Sequence, residues 1–287
     1  MCLQYMLSDS EGESDDDEAE EGTSGKSAMM LEVLLEGVVE LLPALCKVGG
    51  AEFAPHFDRL VGELAQRHGR RSCTDQQRKL VSAIVSDGFK ALKTHAGPTA
   101  PRLFAFLKSE MGADGHSSNR RNAVFTAGVV CEFGAAHAAP FYPTLVPIVM
   151  QCLGADARED PGVKDNAAGA AARLLVANAG PLPVAELLQL LLNALPLKED
   201  QEEAEPCYTG LCKLLARRDA NAFPFAGSIV KAFATALVFD CTGGDDCTAC
   251  IRATLQQLAA EGFQQHLEGI VAGLPEDEKA ALTRLLA

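Results

Sequence analysis

The stretch SSNRRNAVFTAGVVCEF at residues 117–133 is nearly rewritten as GVKDNAAGAAARLLVAN at residues 162–178, with Asn122-Ala123 and Asn166-Ala167 in matching places. Each version starts polar and runs through a stripe of small residues into aliphatics. Aligning the chain on Asp87, Glu132, Val176, Ala216 and Ala259 extends the likeness, with spacings of 45, 44, 40 and 43 residues.

A period of about 40 to 47 residues, written as two helical segments per unit, belongs to HEAT and armadillo arrays, in which no unit buries its apolar face alone. The expected fold is therefore all-α: a HEAT-repeat superhelical solenoid of antiparallel helix pairs, with about six repeats. The helix signals agree. AMMLEVLLEGVVELLPALCKVGG has apolar residues at helical spacing and stops at Gly49-Gly50. FAPHFDRLVGELAQRHG and SCTDQQRKLVSAIVSDGFKALKTHAG read as a hairpin, the second helix capped by Thr74 and closed by Gly97. Five further pairs follow down to TRLLA, and no run reads as a strand. Proline near the start of the first helices suits an opening turn, and small residues along the second helices allow close approach. Ala127, Gly128, Gly169 and Ala172 are expected to line that contact.

The formal net charge is −14, but nine acids fall within residues 1–25, which contain no Lys or Arg. Burial cannot offset the ordering entropy of such a segment. The expected division is a disordered acidic leader, residues 1–27, and a HEAT-repeat array, residues 28–287. Ser8, Ser10 and Ser14 each have an acid three residues on, a pattern suited to an acid-directed kinase. Basic residues occur at most as pairs, such as Arg70-Arg71, Arg120-Arg121 and Arg217-Arg218, so nucleic acid is an unsuitable partner and a basic protein a better one. The uncharged stretch from Phe133 to Ala155 contains Pro140, Pro143 and Pro147 and reads as a helix junction, so no membrane partner is expected. The N-terminus has no basic and apolar signal pattern, and a reducing compartment is expected.

No catalytic chemistry is legible. CTGGDDCTAC brings Cys241, Cys247 and Cys250 together, but a closed zinc site needs four ligands and no second pair lies nearby. These cysteines, like Cys46, Cys131, Cys152, Cys207 and Cys212, read as small core residues. The six histidines form no metal-binding spacing, and the glycines cradle no phosphate. A non-enzyme without metal or cofactor is expected.

RRNAVFTAGVVCEFGAAHAAPFYPTLVPIV, VKDNAAGAAARLLVAN, LLNALPLKEDQEEAEPCYTGLCKLL and the closing GIVAGLPEDEKAALTRLLA resemble the C-terminal HEAT region of the importin-β (karyopherin) superfamily, in its importin-4-like branch. The most specific part is LPLKEDQEE after a helix, and the likeness extends over residues 30–287. Pro206 departs from the pattern, and family members are considerably longer. The resemblance implies a nuclear import receptor moving between cytoplasm and nucleus, with core histones and ribosomal proteins as basic cargo and nucleoporins as further partners. The family's contact with the GTPase Ran is expected in N-terminal repeats that have no counterpart here. The alternative function is a HEAT scaffold that assembles folded partners without a transport cycle.

In such an array the second helices line the inner side. Their starts form a ladder of Asn122, Asp165-Asn166 and Glu199-Asp200 with Glu202-Glu203, and Asp87 and Glu132 lie further along theirs. As cargo ligands, the asparagines would hold an extended backbone and the carboxylates would pair with Lys and Arg. As structural residues, Asn122 and Asn166 would cap or brace the repeats.

Overall fold

The computed structural model describes residues 20–68, 73–112, 116–154 and 160–287. Residues 1–19, which hold most of the expected leader together with Ser8, Ser10 and Ser14, lie outside them. Among the described residues every regular element is helical, and no single helix is long and apolar enough to cross a membrane. The chain divides into two compact units, residues 1–138 and 139–287.

The first unit opens with α1 (Glu20–His68), which Gly50 breaks into two legs by adopting φ 51°. Glycine reaches that left-handed region without Cβ strain, so the expected stop at Gly49-Gly50 becomes a kink between two helical legs. The legs bury Leu35, Leu42 and Cys46 on one side and Phe57, Val61 and Leu64 on the other. α2 (Asp75–Leu92) begins with a reciprocal cap. The Gln77 amide donates to Thr74 Oγ1 at 3.1 Å, and Gln77 Oε1 accepts from the Thr74 amide at 3.4 Å. A 3-10 turn at Lys93–Thr99 leads into α3 (Ala100–Glu110), with proline in its first turn. α4 (Ser117–Gly134) is capped by His116, whose Nδ1 accepts from the Ser118 amide at 3.3 Å.

The second unit holds four pairs. α5 (Tyr142–Gly154) packs with α6 (Pro161–Ala177), which is capped by Asp160 and opened by proline. α7 (Val184–Ala194) precedes α8 (Ala204–Ala216), with a 3-10 turn at Gln201–Glu203 between them. Pro206 lies in the first turn of α8, where its missing amide hydrogen interrupts no helical bond. α9 (Ala226–Val238) and α10 (Asp245–Leu258) follow, then α11 (Gln264–Ala272) and α12 (Glu276–Leu286).

Hydrogen bonds mark the repeat within each unit. In the first, Asn119 Nδ2 donates to Asp75 Oδ1 at 2.8 Å and Thr126 Oγ1 donates to the Ser82 carbonyl at 3.2 Å, each across 44 residues. In the second, Arg217 reaches the Val176 carbonyl across 41 residues, and Thr235 reaches Glu278 across 43. These rungs and the stacked second helices realise the expected HEAT architecture, whose stability is a sum of units and neighbouring interfaces.

Candidate functional site

The small-residue stripe of α6 permits one unusually close approach. A methyl group at Gly169 would overlap the carboxylate of Glu203, which lies directly above it. That carboxylate is buried and forms a two-pronged ion pair with buried Arg173, one prong being Arg173 Nη2 to Oε1 at 2.9 Å. Two fixed guanidinium hydrogens match two carboxylate oxygens, the geometry in which arginine excels.

One turn earlier on α6, buried Asp165 turns a single oxygen, Oδ2, to three successive amides. Lys198, Glu199 and Asp200 donate to it at 3.0, 2.7 and 2.9 Å. Buried Asn166 donates to the Gly162 carbonyl and to Asp200 Oδ2, both at 2.8 Å. Together Asp165, Asn166 and Arg173 hold the segment between α7 and α8 at its middle and at its α8 end. A carboxylate that accepts three amides replaces the water those amides would lose on burial.

The ladder residues therefore occupy different settings. Asp165, Asn166 and Glu203 are buried and engaged within the fold, and Asp200 is shared with Asn166. Glu199 and Glu202 are exposed. Asp87 is half-buried beside Lys90 at 3.4 Å, and Asn122 and Glu132 are half-buried on α4. The bracing asparagine of the first unit is Asn119, nearly one turn before Asn122. Asn119, Asp75 and Arg173 do not stand out in the sequence. For Asn119 and Arg173 the only signal is polarity at positions where a repeat otherwise buries apolar side chains; Asp75 is an exposed first-turn acid like many others.

More acids stand beside the exposed pair. Glu205 in the first turn of α8, Asp245 and Asp246 in that of α10, and Glu276 and Asp277 in that of α12 are all exposed. Gly243 packs on the backbone of Glu205, which brings the start of α10 against that of α8. Three successive second helices of the second unit thus begin with solvent-facing carboxylates.

The cysteine cluster lies behind this face. Burial raises the Cys207 and Cys212 thiols well above their ordinary range and pushes Cys247 up to about 12, with Cys250 adding to the effect at Cys247. Thiols held protonated this firmly are poor nucleophiles. Among the described residues no group of three or more His, Cys, Asp or Glu side chains is arranged to hold a metal ion.

Stacked helix pairs, whose second helices in the second unit begin with solvent-facing carboxylates, define a HEAT-type helical repeat protein. No family model matches the chain. Importin-4 of Mus musculus is 33% identical to it over 172 residues, and importin-4 of Homo sapiens 34% over the same length; each alignment takes in 60% of this chain. The probable importin subunit beta-4 of Schizosaccharomyces pombe is 22% identical over 245 residues, 85% of this chain. The matched region spans 16% of the length of the two mammalian relatives and 22% of the yeast one. The chain is similar to members of the importin-β family, and to importin-4 in particular.

Proposed function

We propose that the chain takes part in protein import into the nucleus, passing between cytoplasm and nucleus, and holds basic cargo on the exposed carboxylates at the starts of α8, α10 and α12. Core histones and ribosomal proteins are the cargo class that this field suits. The observation that carries the reading is the row of solvent-facing acids: Glu199, Glu202 and Glu205, then Asp245 and Asp246, then Glu276 and Asp277. Lys198 is exposed beside Glu199 and Lys279 lies 2.7 Å from Glu276, so the acids named here outnumber the cations beside them. A single acid at a helix start is explained by the helix dipole, which favours negative charge there. Seven across three neighbouring starts exceed that need and create a field that attracts an extended Lys- and Arg-rich segment.

The test is titration of the full chain with a Lys-rich histone tail peptide at low and physiological salt. Glu199→Lys, Glu202→Lys and Glu205→Lys combined should weaken binding at least tenfold at low salt, about 1.4 kcal/mol. The difference should shrink as screening shortens to about 8 Å at physiological ionic strength. The control removes residues 1–25, whose nine acids attract the same peptide. Normal binding by the triple variant, with binding lost on removing the leader, would refute the helix-start reading.

A further inference from the structure

In the first unit a cation already sits between an aromatic ring and a carboxylate. Lys90, in the last turn of α2, places its Nζ over the ring of Phe125 on α4, 4.6 Å from the centroid. The same Nζ lies 3.4 Å from Oδ1 of Asp87, one turn earlier on α2. Phe125 and Asp87 are both half-buried. The hydrogen bond from Thr126 to the Ser82 carbonyl ties α4 to α2, so the ring of one helix and the acid of the other converge on one place.

The helix dipole accounts for a lysine in the last turn of α2, where positive charge is favoured. It does not account for the ring. An aromatic face attracts a cation held within about 6 Å of its centre, and a carboxylate beside it supplies the opposite charge; together they form the two sides of a cation site. Lys90 fills that site poorly. Its ammonium is a point charge with no plane to lay on the ring, it meets one Asp87 oxygen at the long end of the hydrogen-bonding range, and its side chain is 47% exposed. An exposed pair of this kind contributes little and immobilises a flexible side chain. The site is occupied but easily vacated.

We propose that Asp87 and Phe125 bind an arginine side chain of a basic protein partner, and that Lys90 is the internal occupant which the arginine displaces. The kind of partner rests on the function proposed above, whereas the site itself is additional to the helix-start acids and lies in the other unit. A guanidinium fits better than the ammonium it replaces: its plane stacks on the Phe125 ring while two N–H groups address both oxygens of Asp87. The released Lys90 ammonium returns to water, where it is strongly hydrated. One cation replaces another, so no charge is left without a partner.

Fluorescence anisotropy with two labelled peptides of equal length and charge, one carrying arginines and the other lysines at the same positions, tests this on the full chain. The arginine peptide should bind about three- to fivefold tighter. Phe125→Leu keeps the charge and an apolar side chain, and it should bring the two affinities together with the helical circular dichroism unchanged. Lys90→Met empties the site and should strengthen the arginine peptide more than the lysine peptide, whereas simple loss of a positive charge would strengthen both alike. Equal affinities in the wild-type chain, or an arginine preference that survives Phe125→Leu, overturns the proposal. The cargo reading fails separately, through lysine-peptide binding that ignores the helix-start substitutions, and that result leaves an arginine preference dependent on Phe125 standing.

Discussion

Two acidic segments lead into second helices of the second unit, and they are held in opposite ways. Between α7 and α8, charge does the holding: Asp165 gathers three amides, Asn166 takes Asp200, and Arg173 clamps Glu203. Between α9 and α10, shape does it. Gly243 and Gly244 adopt φ 94° and 118°, and any side chain at Gly243 would collide with the backbone of Glu205. Thr242 and Thr248 share a hydroxyl hydrogen bond at 2.7 Å, and no side chain caps α10. In the first segment an acid near the helix start is part of the interior. In the second, Asp245 and Asp246 carry no structural bond of that kind and face water. Proximity in sequence to a helix start therefore does not make a carboxylate available; what stands behind it decides.

The largest effect expected from this contrast is at Glu203. Glu203→Ala leaves the Arg173 guanidinium buried without its partner, and breaking a buried pair in this way costs about 3–5 kcal/mol. Denaturant unfolding should show it as a lower midpoint. Replacing both members with apolar residues, Arg173→Met with Glu203→Leu, should recover most of that loss, because the desolvation penalty of both charges goes with them. A Glu203→Ala chain as stable as the wild type would mean that water reaches Arg173 and the comparison fails.

A smaller loss is expected at Asp165. Asp165→Asn keeps the shape but turns a charged acceptor of three amides into a neutral one and introduces an NH2 group. Hydrogen bonds to charged groups contribute about 1.5–3 kcal/mol, and a loss of roughly 2–3 kcal/mol is expected in the same unfolding measurement. Amide exchange gives the sharper readout. The amides of Lys198, Glu199 and Asp200 should exchange faster in the variant while those of α10 do not change.

The architecture was legible because its determinants are local and repeated. The capping residue Thr74, the break at Gly50 and the small-residue stripes all act within a turn or two of themselves, and their recurrence every 40 to 45 residues shows in the chain. The site was legible only as a zone. Glu202 and Glu203 are adjacent and chemically alike, yet one is exposed and the other buried, and the difference comes from Arg173 and Gly169, 30 and 34 residues back. Asn122 and Asn166 match in the near-copy, but the fold braces its first unit with Asn119. That choice depends on where Asp75 falls once the helices stack. Helix phase between repeats is a tertiary property, and a one-turn offset is invisible to alignment on composition.

The smallest effect is expected at Asp245 and Asp246, and it separates structure from binding most cleanly. Converting both to asparagine removes two charges from the first turn of α10, where the helix dipole favours them by about 0.3–1 kcal/mol each at low salt. Asparagine remains a good residue at a helix start, so part of even this loss is recovered. The melting temperature should fall slightly at low salt and not at all at high salt, since exposed charges are screened. Affinity for a Lys-rich peptide should fall as well, and by more than the stability does, because the peptide meets the summed field of three helix starts. If stability fell as far as for Asp165→Asn, the second segment would be held by charge like the first, and the division between a braced acidic segment and a free one would not stand.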